Sequence, residues 1–194
     1  MSKSLIVLAS KSPQRRALLA ALGLDFEIRD PSVEEETEGE PRDLVVRNAL
    51  RKAQAVAANH TGALVIAGDT EVVVDGRPLG QPGFEGEARS CLEMLSGRTH
   101  EVLGGLALLG PDRTDGELEV RTGVETSRVT FGELDAKLID SYLASGEWKG
   151  RAGGYAVQGL GSALVAGIEG DVSNVIGLPV GLLLRLAPEL VAGN

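Results

Sequence analysis

The chain has 194 residues, enough for one compact core or for one core with a lobe. Apolar residues at 43% and charged residues at 24% are ordinary for a globular protein, and no apolar run approaches the length that spans a bilayer. A net charge of −9 argues against broad binding to nucleic acid or to an anionic membrane, and 3% aromatics leaves little for a base-stacking platform; neither excludes a small anionic ligand, for which a local basic pocket suffices.

Leu5 to Leu8 reads as a short buried strand, and Met1 to Ser4 lead directly into it, so no signal peptide is expected. Small hydroxylated residues follow. Ser12 before Pro13 predicts an N-cap with proline at the first helical position. The helix then runs Pro13 to Leu22, with Leu18, Leu19 and Leu22 at helical spacing. Its free N–H groups, the hydroxyls and the guanidinium groups of Arg15 and Arg16 make a ready site for phosphate. A capped surface helix with two solvated arginines is the plainer reading of the same residues.

Phe26 to Arg29 reads as a second strand. The stretch PSVEEETEGEPRD reads as an exposed acidic loop. A helix is predicted over Asp43 to Ala58, where Leu44, Val45, Ala49 and Ala53 recur. Ala63 to Ala67 reads as a buried strand ending at Gly68-Asp69-Thr70. Glu71 to Val74 then continues extended to a hairpin turn at Asp75-Gly76. Phe84 to Leu95 reads as a helix stopped by Ser96-Gly97. Thr99 to Leu109 and Val120 to Phe131 read as strands joined by a polar loop, Pro111 to Gly116. A helix over Leu134 to Ser145, a glycine-rich loop over Trp148 to Gly161, a strand over Ala163 to Ile168 and a closing helix over Pro179 to Val191 complete the chain. The alternation predicts an α/β fold with a mixed sheet. With no linker or repeat, residues 1–194 are expected to form one domain, with two lobes around a cleft as a variant.

The single cysteine, Cys91, excludes an internal disulfide, suits a reducing cytosol and is expected to be a small buried apolar side chain. His60 and His100 lie far apart and cannot build a standard structural zinc site with it. No nucleophile-elbow motif supports a Ser-His-Asp triad. Asp69, just past an apolar run, sits where α/β folds place ligands, and it can coordinate a divalent cation, act as a general base toward water, or simply cap a turn. Glu34, Glu35 and Glu36 are either a solvated face or oxygen ligands for Mg²⁺. Lys52, on the helix from Asp43, can reach a phosphate or stay solvated. GRAGGYAVQGLG, Gly150 to Gly161, lacks the strand-to-helix context of a dinucleotide fingerprint and reads as a loop approaching a ligand. Gln158 can read a base edge with its amide, and Tyr155 is expected to pack.

Taken together, LASKSPQRRALL, the acidic EEE, Lys52-Ala53, AGDT, SGRTHEV, AGGYAVQGLG and NVIGLPV resemble the Maf family of nucleoside triphosphate pyrophosphatases almost end to end. The resemblance implies an elongated α/β structure with a mixed sheet and central cleft, similar to inosine triphosphate pyrophosphatases. It implies hydrolysis of a nucleoside triphosphate to monophosphate and pyrophosphate with Mg²⁺ or Mn²⁺, and it allows a homodimer. By position, Asp69 matches the catalytic proton acceptor; Ser10, Arg15 and Lys52 match polar positions around the phosphates, which Ser12 at the helix start would help to cradle; Glu35 matches an acidic position that with Asp69 would hold the metal. Thr70 and Gln158 match the subgroup acting on dTTP and UTP rather than the one acting on 7-methyl-GTP. Three positions depart. Gln14 stands where arginine is usual, at a position linked to substrate choice. Gln81 stands where a substrate-binding lysine is usual, and Arg151 where a lysine is usual, which keeps a cation but changes its geometry. Arg16 or Arg98 is expected to offset the charge missing at Gln81. A 7-methyl-GTP pyrophosphatase and a nucleotide-binding division regulator with little catalysis remain the alternatives.

Overall fold

The computed structural model describes residues 5–111 and 118–191, so the predicted loop Pro111 to Gly116 lies, apart from Pro111, outside the described residues. Seven strands form one mixed sheet: β1 (Ile6–Ala9), β2 (Glu27–Arg29), β3 (Leu64–Val74), β4 (Arg77–Pro78), β5 (Thr99–Pro111), β6 (Leu118–Phe131) and β7 (Val165–Glu169). Their order is β2-β1-β3-β5-β6-β7, with β4 hairpinned onto β3. β1 runs parallel to both β2 and β3, and the remaining pairs are antiparallel. Parallel neighbours need a crossover. Two helices supply it: α1 (Pro13–Ala21) between β1 and β2, and α2 (Pro41–Ala57) between β2 and β3.

The period of two along the strands divides the core. Val7, Ala9, Val65 and Ala67 face α2, which meets them with Ala49, Ala53, Val56 and Ala57. Ile6, Leu8 and Ile66 face the other way, onto Leu19 of α1 and onto Leu182 and Leu183 of α6 (Val180–Leu186). Further along the sheet, Val72, Val74, Val102 and Phe131 pack with α3 (Glu85–Leu95), α4 (Ala136–Ser145) and the aromatic rings of Trp148 and Tyr155. Small side chains on α2 let it lie close, and Gly105 on β5 makes that approach a requirement. A Cβ at Gly105 would sit 2.1 Å from the Val45 carbonyl oxygen, and one at its neighbour Gly104 would sit 1.9 Å from Asn174 Oδ1. These two glycines pair with Asp69 and Thr70 on β3, so very close packing lies directly beside them.

Several predicted boundaries move. β3 does not end at Gly68; it runs unbroken through Asp69 and Thr70 to Val74, because β5 pairs with it from Val65 to Val73. Asp69 is therefore a mid-strand residue. Thr70 and Asp69 reach a cleft because α2 and α5 (Val172–Ile176) flank the strand there, while the strand itself continues. The predicted turn at Asp75-Gly76 is present, with φ of 51° and 74°, the doubly positive conformation that suits a two-residue hairpin. α4 starts at Ala136, two residues later than its apolar pattern suggests, because Asp135 caps it by accepting from Leu138 N at 2.7 Å. The glycine-rich loop contains two 3₁₀ turns, Ala152–Gly154 and Gly159–Leu164. The closing helix stops at Leu186 before Pro188, and the short α5 was hidden by the Gly177-Leu178-Pro179 break that follows it. Cys91 on α3 is half-buried rather than enclosed, and burial still pushes its thiol pKa up. Among the described residues no helix is long and apolar enough to cross a membrane.

Candidate active site

A cleft of about 640 Å³ opens beside the middle of β3, and its walls come from four directions. The start of α1 contributes Ser12, Gln14 and Arg15; the acidic loop contributes Glu35 and Glu36; α2 contributes Asn48 and Lys52; the turn after β4 and the glycine-rich loop contribute Gln81, Arg151 and Gln158. Asp69, Thr70 and Glu71 form its floor on β3. A volume of this size suits a small ligand.

Each polar side chain is set by local chain logic. Ser12 caps α1 as predicted, its Oγ accepting from Arg15 N at 3.4 Å and donating to Gln14 Oε1 at 3.0 Å. Arg15 points back along the cleft. Its Nε donates to the Gly177 carbonyl at 2.9 Å and its Nη2 to Thr70 Oγ1 at 3.0 Å. The NVIGLPV segment is explained here: α5 ends at Gly177, and that end carbonyl receives both Arg15 and the Thr70 hydroxyl. Ser10 is buried one step behind the cleft, where its Oγ accepts from Ser12 N at 3.1 Å and Arg15 Nη1 at 3.4 Å, so it steadies the turn into α1 without lining the cleft. Among the described residues no carboxylate forms an ion pair with Arg15; every acceptor it uses is neutral. Burial pulls its guanidinium below the ordinary value, with the fields of Asp69 and Glu35 opposing.

Lys52 gathers the acids. Its side chain is 7% exposed, and its ammonium lies 2.7 Å from Asp69 Oδ1 and 2.5 Å from Glu35 Oε1. One turn earlier on the same helix face, buried Asn48 donates to Asp69 Oδ2 at 3.2 Å and to the Glu36 carbonyl at 3.0 Å, while its Oδ1 accepts from Glu36 N at 2.8 Å. Both oxygens of Asp69 are thus held from α2. The three adjacent glutamates have three fates. Glu35 joins Lys52 in the cleft, Glu36 pairs with Arg47 and Arg51 on α2 and fastens the loop, and Glu34 is exposed. The Arg47 and Arg51 partners hold the Glu36 carboxyl below its ordinary pKa.

Sequence reasoning missed Asn48 and Glu71. Asn48 was legible in principle, since it precedes Lys52 by four residues and shares its helix face. Glu71 lies two residues beyond Asp69 on one strand, which places it on the same sheet face, but with β3 expected to end early that period was not applied. Its Oε1 accepts from Gly80 N at 2.9 Å and Val72 N at 3.2 Å, and burial raises its pKa. Tyr155 packs as expected. Its ring meets Phe131 and His100 edge-on, and its hydroxyl lies 2.6 Å from His100 Nε2. The compensation expected from Arg16 or Arg98 is not present. Neither lines the cleft, and Arg98 instead holds Asp75 at 2.7 and 2.8 Å beside the hairpin turn. Gln81 lies on the rim and is exposed; Gln158 is likewise exposed and makes no side-chain bond to the protein among the described residues.

The donor set also bears on a metal. Among the described residues no three His, Cys, Asp or Glu side chains are grouped as a ready-made metal cage. Two carboxylates, Glu35 and Asp69, do converge on a single cationic point, now filled by the Lys52 ammonium. That fits Mg²⁺ or Mn²⁺ held by one or two carboxylates together with substrate phosphates, the usual pattern for a cation that dehydrates reluctantly.

Comparison with known proteins places the chain in a family. A family model described as Maf-like protein matches residues 5–190. A Bacillus cereus protein named dTTP/UTP pyrophosphatase is 44% identical over 182 residues, covering 93% of this chain and 92% of its own. A Bacillus anthracis protein of the same name is 43% identical with the same coverage. A solved HAM1 protein from Coxiella burnetii overlaps 66% of this chain and 73% of its own at 24% identity, with a TM-score of 0.42.

Proposed function

This chain belongs to the Maf-like protein family, and from that membership and the cleft we infer that it is a nucleoside triphosphate pyrophosphatase acting on dTTP and UTP. The observation that carries the reading is the meeting of Asp69 and Glu35 at the Lys52 ammonium, beside an Arg15 guanidinium that forms no ion pair with a carboxylate among the described residues. A site with paired carboxylates and a spare cation is built for a polyanion that arrives with its own metal.

The reaction is in-line attack of water on phosphorus. One P–O bond forms to the water oxygen as a bridging P–O bond breaks, and monophosphate and pyrophosphate leave. The barrier is lowered by positioning and charge neutralisation. Arg15, the Ser12 turn and Lys52 bind phosphate oxygens. Asp69, fixed through both its oxygens, orients the water and takes its proton. Glu35 and Asp69 would hold Mg²⁺ or Mn²⁺, which supplies charge stabilisation on the phosphates when bound. Thr70, tied to Arg15 and Gly177, limits the depth of the cleft, and Gln158 offers an amide to a pyrimidine edge. The 7-methyl-GTP alternative wants an aromatic face for a cationic base. Tyr155, the aromatic side chain bordering the cleft, is buried and engaged with His100 and Phe131.

The test is a product assay with Mg²⁺ or Mn²⁺ over dTTP, UTP, CTP, 7-methyl-GTP and ITP, with chromatography resolving the products. Monophosphate and pyrophosphate from dTTP and UTP are expected, and Asp69→Asn lowers kcat by about 10²- to 10⁴-fold while still binding substrate. Full activity in Asp69→Asn would remove Asp69 from the chemistry, and binding without turnover in the unaltered protein would favour a regulatory role.

A further inference from the structure

Three side-chain cations line the cleft: Arg15, Lys52 and Arg151. Lys52 is met by two carboxylates, and Arg15 is bonded into the β3–α5 junction. Arg151 differs from both. It is half-buried, and among the described residues its guanidinium has neither a hydrogen bond nor an ion pair. Glu147 feels its charge, but the Glu147 oxygens are taken by the N–H groups of Leu160 and Gly161, each at 3.0 Å.

The backbone that carries Arg151 is nevertheless firmly placed. Gly150 and Gly153, with φ of 67° and 64°, bracket it in conformations that residues with a Cβ rarely adopt. Gly153 N donates to the Gly80 carbonyl at 2.7 Å, and a Cβ at Gly153 would come within 3.0 Å of Val72 on β3. The Arg151 carbonyl accepts from Gly154 N at 3.0 Å. The segment is thereby clamped to the turn bearing Gln81, a stretch of rim whose other cleft residues, Gly80, Gln81, Ala152 and Gln158, bring no charge. A half-buried guanidinium on a firmly placed backbone, with no partner among the described residues, keeps its donors open to an anion.

We propose that Arg151 is a phosphate-binding residue of this cleft, reaching the substrate's triphosphate from the glycine-rich loop while Arg15 and Lys52 bind it from the β1–α1 turn and α2. This rests on the pyrophosphatase reading. A triphosphate spreads its charge over several groups, and cations on separate walls meet more of that charge than a single cluster does. Arg151 also restores a positive charge to the rim that Gln81 leaves neutral.

The experiment compares the unaltered protein with Arg151→Gln and Arg151→Lys. It measures KM for dTTP, calorimetric binding of inorganic pyrophosphate and of dTMP, and thermal unfolding. Arg151→Gln should raise KM by about 10- to 100-fold and weaken binding of one of the two products by a similar factor, as expected for losing a charge-assisted bond. Arg151→Lys should recover most of that loss. The product that loses affinity identifies the phosphate contacted. Unchanged KM and unchanged binding of both products in Arg151→Gln overturns the proposal. So does an Arg151→Lys variant as impaired as Arg151→Gln when both melt early, since that pattern belongs to a structural arginine. If the unaltered protein hydrolyses no triphosphate, the enzymatic reading fails by itself. Loss of pyrophosphate binding in Arg151→Gln would still establish the anion site.

Discussion

The two sides of the cleft are built on opposite terms. On the side formed by α1, α2 and β3, polar side chains bond to one another. Asn48 and Lys52 hold Asp69, Glu35 sits on Lys52, and Arg15 joins Thr70 to the end of α5. On the side formed by the turn after β4 and the glycine-rich loop, the backbone is clamped by glycines while Gln81, Arg151 and Gln158 have no side-chain partner among the described residues. The first side has its geometry in place before a ligand arrives, which is what a reacting centre needs. The second leaves its hydrogen-bonding capacity for the ligand, which is what recognition needs.

The sharpest way to break this contrast is to loosen the bonded side without touching the proposed base. Asn48→Ala frees Asp69 Oδ2 and the Glu36 backbone together. It should lower kcat by about 10- to 100-fold with a much smaller change in KM, the cost of a misplaced catalytic group. Steady-state kinetics decides it, and a loss confined to KM would show that Asn48 serves only the loop.

The core behind the open side answers to acid. Burial depresses the His100 pKa to about 4 from an ordinary 6.5. The unfolded chain therefore binds a proton over that window that the folded chain does not. The stability associated with neutral His100 is intact above pH 6.5, falls as the pH drops, and is lost by about pH 4, an effect of about 3 kcal/mol. Unfolding titrations between pH 4 and 7 should show this slope, and His100→Gln should flatten it. An unaltered slope would place the acid sensitivity elsewhere.

The smallest effect belongs to the open side itself. Gln158→Ala removes an exposed amide with no partner among the described residues, so stability should not change. KM for dTTP should rise by only about 2- to 10-fold, one hydrogen bond's worth, with kcat retained. A large drop in kcat there would mean that this side also shapes the reacting centre.

Much of this molecule is legible in its residues one neighbourhood at a time. The Ser12 cap, the Asp75-Gly76 turn, the α2 apolar stripe and the alternation that predicts a mixed sheet are local matters of φ, capping and period, and each is found within a few residues of its expected place. The residues singled out as a site, from Ser12 and Arg15 to Lys52, Asp69 and Gln158, are brought around one cleft that spans most of the chain's length.

What only the tertiary structure decided follows from contacts between distant segments. β3 continues through Asp69 because β5 supplies a partner strand, a long-range pairing that overrides the local turn signal of Gly68-Asp69. Ser10 recedes behind Arg15, Glu36 becomes a structural anchor while its neighbour Glu35 enters the site, and Arg98 turns to Asp75 instead of the cleft. No pattern along the chain distinguishes three adjacent glutamates; the position of one helix face does. A sequence specifies which groups are available and which backbone shapes they favour, whereas which charge meets which is settled only when separate elements pack together.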